Sequence, residues 1–172
     1  MTVPGAWPEN LGSLADWAGY ALVSSVVAPD SRGTVRLACA APDAAPLVDP
    51  GFLADPRDLA RLETGLRIIR EAVAGAALSR VLQAEVWPGP DVVTRAGLRA
   101  YIRRTVGSYY HPAGTCRMGT GDLAVVDPQL RVRGVAGLRV ADASVMPAIP
   151  NAPLNATVLA IAERAADLIA TG

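Results

Sequence analysis

Lysine is absent from this 172-residue sequence, and arginine supplies all 16 basic residues against 16 acidic ones. A formal net charge of zero gives no electrostatic case for nucleic acid or an anionic membrane as partner. The arginine-only usage reads first as genomic base composition. Cysteine is scarce too. Cys39 and Cys116 are too few for a secreted disulfide scaffold, so two free thiols in a reducing, cytoplasmic setting are expected. The first residues, MTVPGAWPENLG, lack the basic start and apolar run of a signal peptide. Residues 143–162 carry no charge and could span a bilayer by length. Pro147, Pro150 and Pro153, with Asn151 and Asn155, argue instead for a buried irregular loop running into a helix. No internal repeat, low-complexity tract or dinucleotide-binding GxGxxG turn is found. The nearest candidate, GTCRMGTG, does not lead from a long strand into a helix.

What is present is globular. Apolar residues make up 51% of the chain and charged residues 19%, enough for one domain or one lobe of a larger protein. Residues 20–29 read as a strand ending at a proline, and TVRLACA, after a DSRG turn, as a second strand. APDAAPLVDPGF reads as an irregular connection. Asp55 then suits an N-cap and Pro56 the first helical position, with Asp58 at the positive helix start. Leu59, Leu62, Leu66, Ile69 and Val73 form one helical stripe, and Gly75 fits a left-handed stop. A second helix is predicted from Thr94 to Val106, with Leu98, Tyr101, Ile102 and Thr105 on one side. VVDPQLRVRGVAGLRVADAS reads as three short strands, the last a candidate for a buried parallel sheet. A final helix runs from Asn155, a plausible cap, to Ile169. Its apolar side is Val158, Ile161, Ala162, Ala165, Leu168 and Ile169.

Chemistry concentrates in SYYHPAGTCRMG, residues 108–119, which holds the single histidine, His111. As a metal ligand His111 has only Cys116 nearby, short of the three or four ligands a zinc site needs. A Cys116 nucleophile paired with His111 is set by fold, not by spacing. A structural histidine remains open at this point. Glycines at 114 and 119 permit close backbone approach, and an imidazole there can be tuned to accept a proton near neutrality.

Three stretches, HPAGTCRMG, VVDPQLRVRGVAGLRVADASVMPAIP and NATVLAIAERAADLI, resemble in their order the C-terminal region of glucose–methanol–choline (GMC) flavoprotein oxidoreductases. APDSRGTVRL, APLVDPGFL and DPRDLARLETGLRIIREA resemble the same family's substrate domain. The resemblance runs from about Val23 to the end. It implies an α+β fold, an antiparallel sheet packed by helices, with a C-terminal strand and helix completing a FAD-binding domain not found in this sequence. It divides the chain into a substrate domain at 1–122 and a flavin-domain segment at 123–172. It implies that His111 is the base that takes the hydroxyl proton of a small alcohol as hydride passes to flavin N5. Asp142 and Ala143 would offer backbone contacts to FAD, and Asn155, Ala156 and Thr157 the positive helix end at its pyrimidine edge. The family's second catalytic His or Asn, two positions before Asn155, is replaced by Pro153, and Asn151 is the candidate substitute. Trp87, Tyr109 and Tyr110 are candidates for the substrate pocket. Since the family binds FAD through an N-terminal GxGxxG unit, a FAD-binding partner chain is expected. The alternative is a truncated, non-catalytic remnant that binds a ligand or a partner protein.

Overall fold

In a computed structural model the described residues are 21–82 and 84–171. They form an α+β arrangement of two compact units. The first holds residues up to Gly33 with Pro50–Tyr109, and the second Thr34–Asp49 with the chain from Tyr110.

The first unit is built on two helices. α1 spans Pro56–Ala74, and its Asp55 cap accepts the Arg57 N–H at 2.9 Å with Pro56 opening the helix, as the sequence predicts. Gly75 does not close it in the left-handed region. Its φ of −63° and ψ of 149° are extended, and its N–H reaches Ala72 O, so the helix stops by straightening. α2 spans Arg95–Thr105, and Thr94 caps it by accepting the Gly97 N–H at 3.0 Å. Leu59 of α1 meets Leu98 and Ile102 of α2 in a buried cluster, flanked by Leu53, Leu62, Leu66 and Val92. Each such side chain contributes about 1.5–3 kcal/mol on burial. Glu63 fastens the same helix pair, taking the Arg95 Nε at 2.8 Å and the Arg99 Nε at 2.7 Å.

Residues 21–29 do not form the expected strand, and Tyr20 lies outside the described residues. The segment instead crosses α1, where a Cβ on Gly65 would collide with Ser24 Oγ, which explains a glycine in mid-helix. Asp58 then fixes the end of the segment. Only 3% exposed, it accepts the Asp30 N–H at 3.0 Å and the Ser31 N–H at 2.8 Å. Burial pushes its carboxyl up. Hydrogen bonds from Ser31 and Asp30, with the Arg61 charge, outweigh that and hold it below the usual value.

The second unit holds the sheet, which is a two-stranded hairpin. β1 (Thr34–Arg36) pairs antiparallel with β2 (Leu47–Asp49), in the register Thr34–Asp49, Val35–Val48, Arg36–Leu47. TVRLACA is thus a strand for three residues only, and its partner comes from the stretch expected to be irregular. Pro46 and Pro50 bracket β2, and neither can donate to a ladder, which limits both strands.

The three strands expected after Leu123 reduce to single bridges: Met118–Val126 parallel, Val126–Val132 and Arg131–Arg139 antiparallel. Tight reversals cut them short. Asp127 Oδ1 accepts the N–H groups of Gln129 and Arg131, and Leu130, Gly134 and Gly137 all have positive φ. The expected parallel strand at LRVADAS therefore ends at one bridge and turns into a 3-10 turn, Ala143–Val145. Val126, Leu130, Val145 and Ala165 form this unit's core, with Met118, Val132, Val140, Ile161 and Leu168 against it. α3 spans Asn155–Ala170 and faces the core through Ile161, Ala165 and Leu168. Ala162 and Ile169, placed on that side by sequence, are exposed, because the buried stripe is narrower than the apolar one. No described helix is long and apolar enough to cross a membrane, and residues 143–162 divide between the 3-10 turn, an irregular stretch and α3.

Candidate active site

The loop after His111 is held by a run of backbone hydrogen bonds. Gly114 N–H donates to Ala143 O at 3.2 Å, Cys116 N–H to Ser144 O at 2.9 Å and Met118 N–H to Val145 O at 2.8 Å. Alternate amides of the HPAGTCRMG segment thus meet successive carbonyls of a tight turn. Gly114 makes the approach possible: its φ is +85°, and an added Cβ would stand 3.3 Å from Met146 O. The turn is itself braced. The Asp142 side chain accepts the Ser144 N–H at 2.8 Å and the Ser144 hydroxyl. Beneath the turn, Val145 is 0% exposed and packs in the core cluster with Ala165 of α3. Sequence positions 114–118, 142–145 and α3 therefore share one support.

His111 is half-buried in this setting. Tyr110 before it is 75% exposed with φ +63°, so the alternation of an extended strand breaks between Tyr109 and His111. Tyr109 is half-buried and belongs, with Trp87, to the first unit, whereas Tyr110 and His111 open the second. Asn155 is not the cap of α3. It is the first helical residue, Leu154 holds the cap position, and no side chain bonds the helix start. Proline at 153 and the buried Leu154 shift the start by one residue, which leaves Asn155 exposed beside Ala156 and the half-buried Thr157. Asn151 is exposed. Cys39 and Cys116 are free thiols. Among the described residues no three His, Cys, Asp or Glu side chains converge as a metal site.

A family model described as GMC oxidoreductase matches residues 29–162. The chain belongs to the GMC oxidoreductase family. Among its curated GMC relatives, choline oxidase of Arthrobacter globiformis is 44% identical over 155 residues, which is 88% of this chain and 28% of that protein. An alcohol dehydrogenase (acceptor) of Pseudomonas putida is 40% identical over 88% of this chain and 27% of its own length. Among solved structures, a FAD-dependent oxidoreductase from Chaetomium thermophilum superposes with a TM-score of 0.78 at 34% identity, over 83% of this chain and 25% of that one. The chain thus spans between 25% and 28% of the length of these GMC relatives.

Sequence reasoning missed the devices that hold these parts. Asp58 is the expected acidic residue of the first turn of α1 and is also a buried bracket for Asp30 and Ser31. Ser144 and Arg70 were not singled out. A serine two residues after an aspartate is a recognisable turn signal for the first. Nothing local marks the second, since its partners lie 15–22 residues away.

Proposed function

We propose that this chain is the C-terminal part of a FAD-dependent GMC oxidoreductase that oxidises the CH–OH group of a small alcohol, with His111 as the base. The observation that carries the reading is the three-amide attachment of the His111 loop to the Ala143–Val145 turn, in a chain of this family. The names of the choline and alcohol relatives support the substrate class.

FAD, when bound, supplies the acceptor of the hydride. His111 takes the hydroxyl proton on a ring nitrogen, since an alkoxide releases hydride far more readily than an alcohol. The turn anchors the loop that follows His111 from Gly114 onward, which limits how far that loop moves during the transfer. The residues fit a flavin. The start of α3 has no side-chain cap and no acidic residue in its first turn. The amides of Asn155, Ala156 and Thr157 and the positive helix end therefore suit an electron-rich ring edge. Asp142 and Ala143 contribute backbone, while the Asp142 side chain is spent on Ser144. Asn151 serves as the second polar group where Pro153 cannot, and Trp87, Tyr109 and Tyr110 contact the substrate. Residues 1–122 make the substrate side and 123–172 part of the flavin side. Polypeptide beyond these 172 residues completes the FAD site, whether continuous with them or a partner chain.

The test is His111→Ala in the FAD-loaded protein. We expect turnover of primary alcohols to fall by about 10²–10⁴-fold with the flavin spectrum retained. Undiminished turnover overturns the assignment of the base. Absence of flavin from every preparation would favour the non-catalytic binding module.

A further inference from the structure

The ribbon that follows the His111 loop in the second unit carries an imbalance of charge. Residues 125–140 hold Arg131, Arg133 and Arg139 against one acid, Asp127. Arg131 and Arg139 stand opposite each other in an antiparallel bridge. The bonds beside them run from Val132 N–H to Leu138 O at 2.9 Å and from Val140 N–H to Leu130 O at 3.1 Å, which leaves the two arginines as a non-hydrogen-bonded pair. That kind of pair is the closer one, with Cα atoms about 4.5 Å apart, and like charges placed there repel. Val132 and Val140 pack on the core, so alternation puts both arginines on the opposite, outer face.

The two are not equally served. Asp127 takes the Arg131 Nε at 2.9 Å, and its other oxygen takes the N–H groups of Gln129 at 2.9 Å and Arg131 at 3.0 Å. That carboxylate is spent. Arg133 is held by carbonyls, Gly119 O at 2.8 Å and Gly121 O at 3.2 Å. Arg139 is half-buried, and among the described residues its buried Nε has no acceptor. No ion pair of the described residues includes it. A buried, charged donor left unmet is costly and uncommon in a folded protein. A small turn of this side chain presents Nε and a terminal nitrogen together, the fork that a carboxylate takes.

The surroundings favour a protein carboxylate over a free anion. Val125, next to core-packed Val126 and so on the arginine face, is partly exposed, and Val135 and Leu138 of the same ribbon are exposed as well. A free anion answers the charge and leaves this apolar surface in water. A protein surface covers both, and arginine is enriched in such contacts. The chain spans only 25% to 28% of the length of its GMC relatives, so most of a relative's length lies outside these residues.

We propose that the outer face of the 125–140 ribbon is a docking surface for the polypeptide that completes the FAD site, and that Arg139 pairs there with an aspartate or glutamate of that polypeptide. The inference rests on the proposed function for the existence of that polypeptide.

The absence of lysine makes a direct test available. Arg139→Lys introduces the only ε-amine of these 172 residues, which a zero-length carbodiimide joins to an adjacent carboxylate with loss of water. The FAD-loaded full-length protein carrying Arg139→Lys is coupled, digested and read by peptide mass spectrometry. We expect a link to an aspartate or glutamate outside these 172 residues. Arg131→Lys is the control and should link to Asp127. A link from position 139 to Asp127 or another acid within the 172 residues overturns the proposal, and so does no link where the control couples. Flavin release in urea is the second measurement and decides alone if the control does not couple. Arg139→Gln should speed release roughly 10-fold by leaving the partner acid unpaired, and Arg139→Lys should do so less, which gives a milder variant should Arg139→Gln fold poorly. Unchanged release in both overturns the docking role. If the unaltered protein carries no flavin, the proposed function fails, and the cross-link still decides the docking surface.

Discussion

Adding a methyl group at Gly114 probes the link between the His111 loop and the turn that carries it. Two costs combine there. Gly114 has φ +85°, and a side chain in the left-handed region costs about 1–2 kcal/mol, of which the stiffer unfolded chain returns about 0.4–1 kcal/mol. The new Cβ would also stand 3.3 Å from Met146 O, backbone that cannot swing aside as a flexible side chain can. Relief comes by pushing the loop away, which lengthens the 3.2 Å bond from Gly114 N–H to Ala143 O, worth about 0.5–1.5 kcal/mol net. Gly134 is the control. Its φ is +78° and an added Cβ meets nothing within 4 Å, so Gly134→Ala carries only the first cost. Urea denaturation of the FAD-loaded protein should show a loss of about 2 kcal/mol for Gly114→Ala and about 1 kcal/mol or less for Gly134→Ala. Turnover should separate them further, because displacing a base by a fraction of an ångström to an ångström costs about 10–100-fold. Gly134→Ala should keep its rate. Equal stability losses and equal rates for the two variants would refute the coupling of the loop to the turn.

Other consequences concern the supports. Val145→Ala removes buried atoms at the junction of the turn, the bridges and α3, and should cost about 2–3 kcal/mol by urea midpoint, with flavin retention falling as the turn loosens. A smaller loss would mean that the cavity refills. Asp58 is held below its ordinary value of 3.8, so it contributes stability above that value, lost as pH falls through its lower folded value. Acid titration followed by circular dichroism should therefore show stability falling in that range. The fall should be shallower in Asp58→Asn, whose remaining amide oxygen accepts less well. An identical acid profile would place the acid lability elsewhere.

The helices were readable because each signal is local. Asp55 and Pro56 act on the first turn, and Thr94 acts on an amide three residues away. The strands were not. Alternation in TVRLACA is real, but a strand exists only as far as a partner follows it, and Pro46 and Pro50 limit that partner to Leu47–Asp49. Likewise the Asp127 side chain takes the amides of Gln129 and Arg131 and forces a reversal where apolar runs suggest continuous strands. The start of α3 shows the finest failure. An asparagine before an apolar run reads as a cap, but Leu154 is drawn into the interior and takes that position with helical dihedrals.

That displaced cap bears on the chemistry. An asparagine at the cap would spend its side-chain oxygen on the first-turn amides, satisfying the helix from within. With Leu154 at the cap and Asn155 one residue further in, no side chain answers those amides. An exposed, uncapped helix start is ordinarily a small loss of stability, about 0.5–2 kcal/mol relative to a good cap. The loss becomes useful where a ligand with an electron-rich edge takes the place of the cap, since the same amides then bind it and the helix end stabilises charge that develops on it. Ala165 packs α3 beside Val145, and Val145 belongs to the turn that holds the His111 loop. The loop that follows His111 and the start of α3 thus rest on one core, a few side chains across.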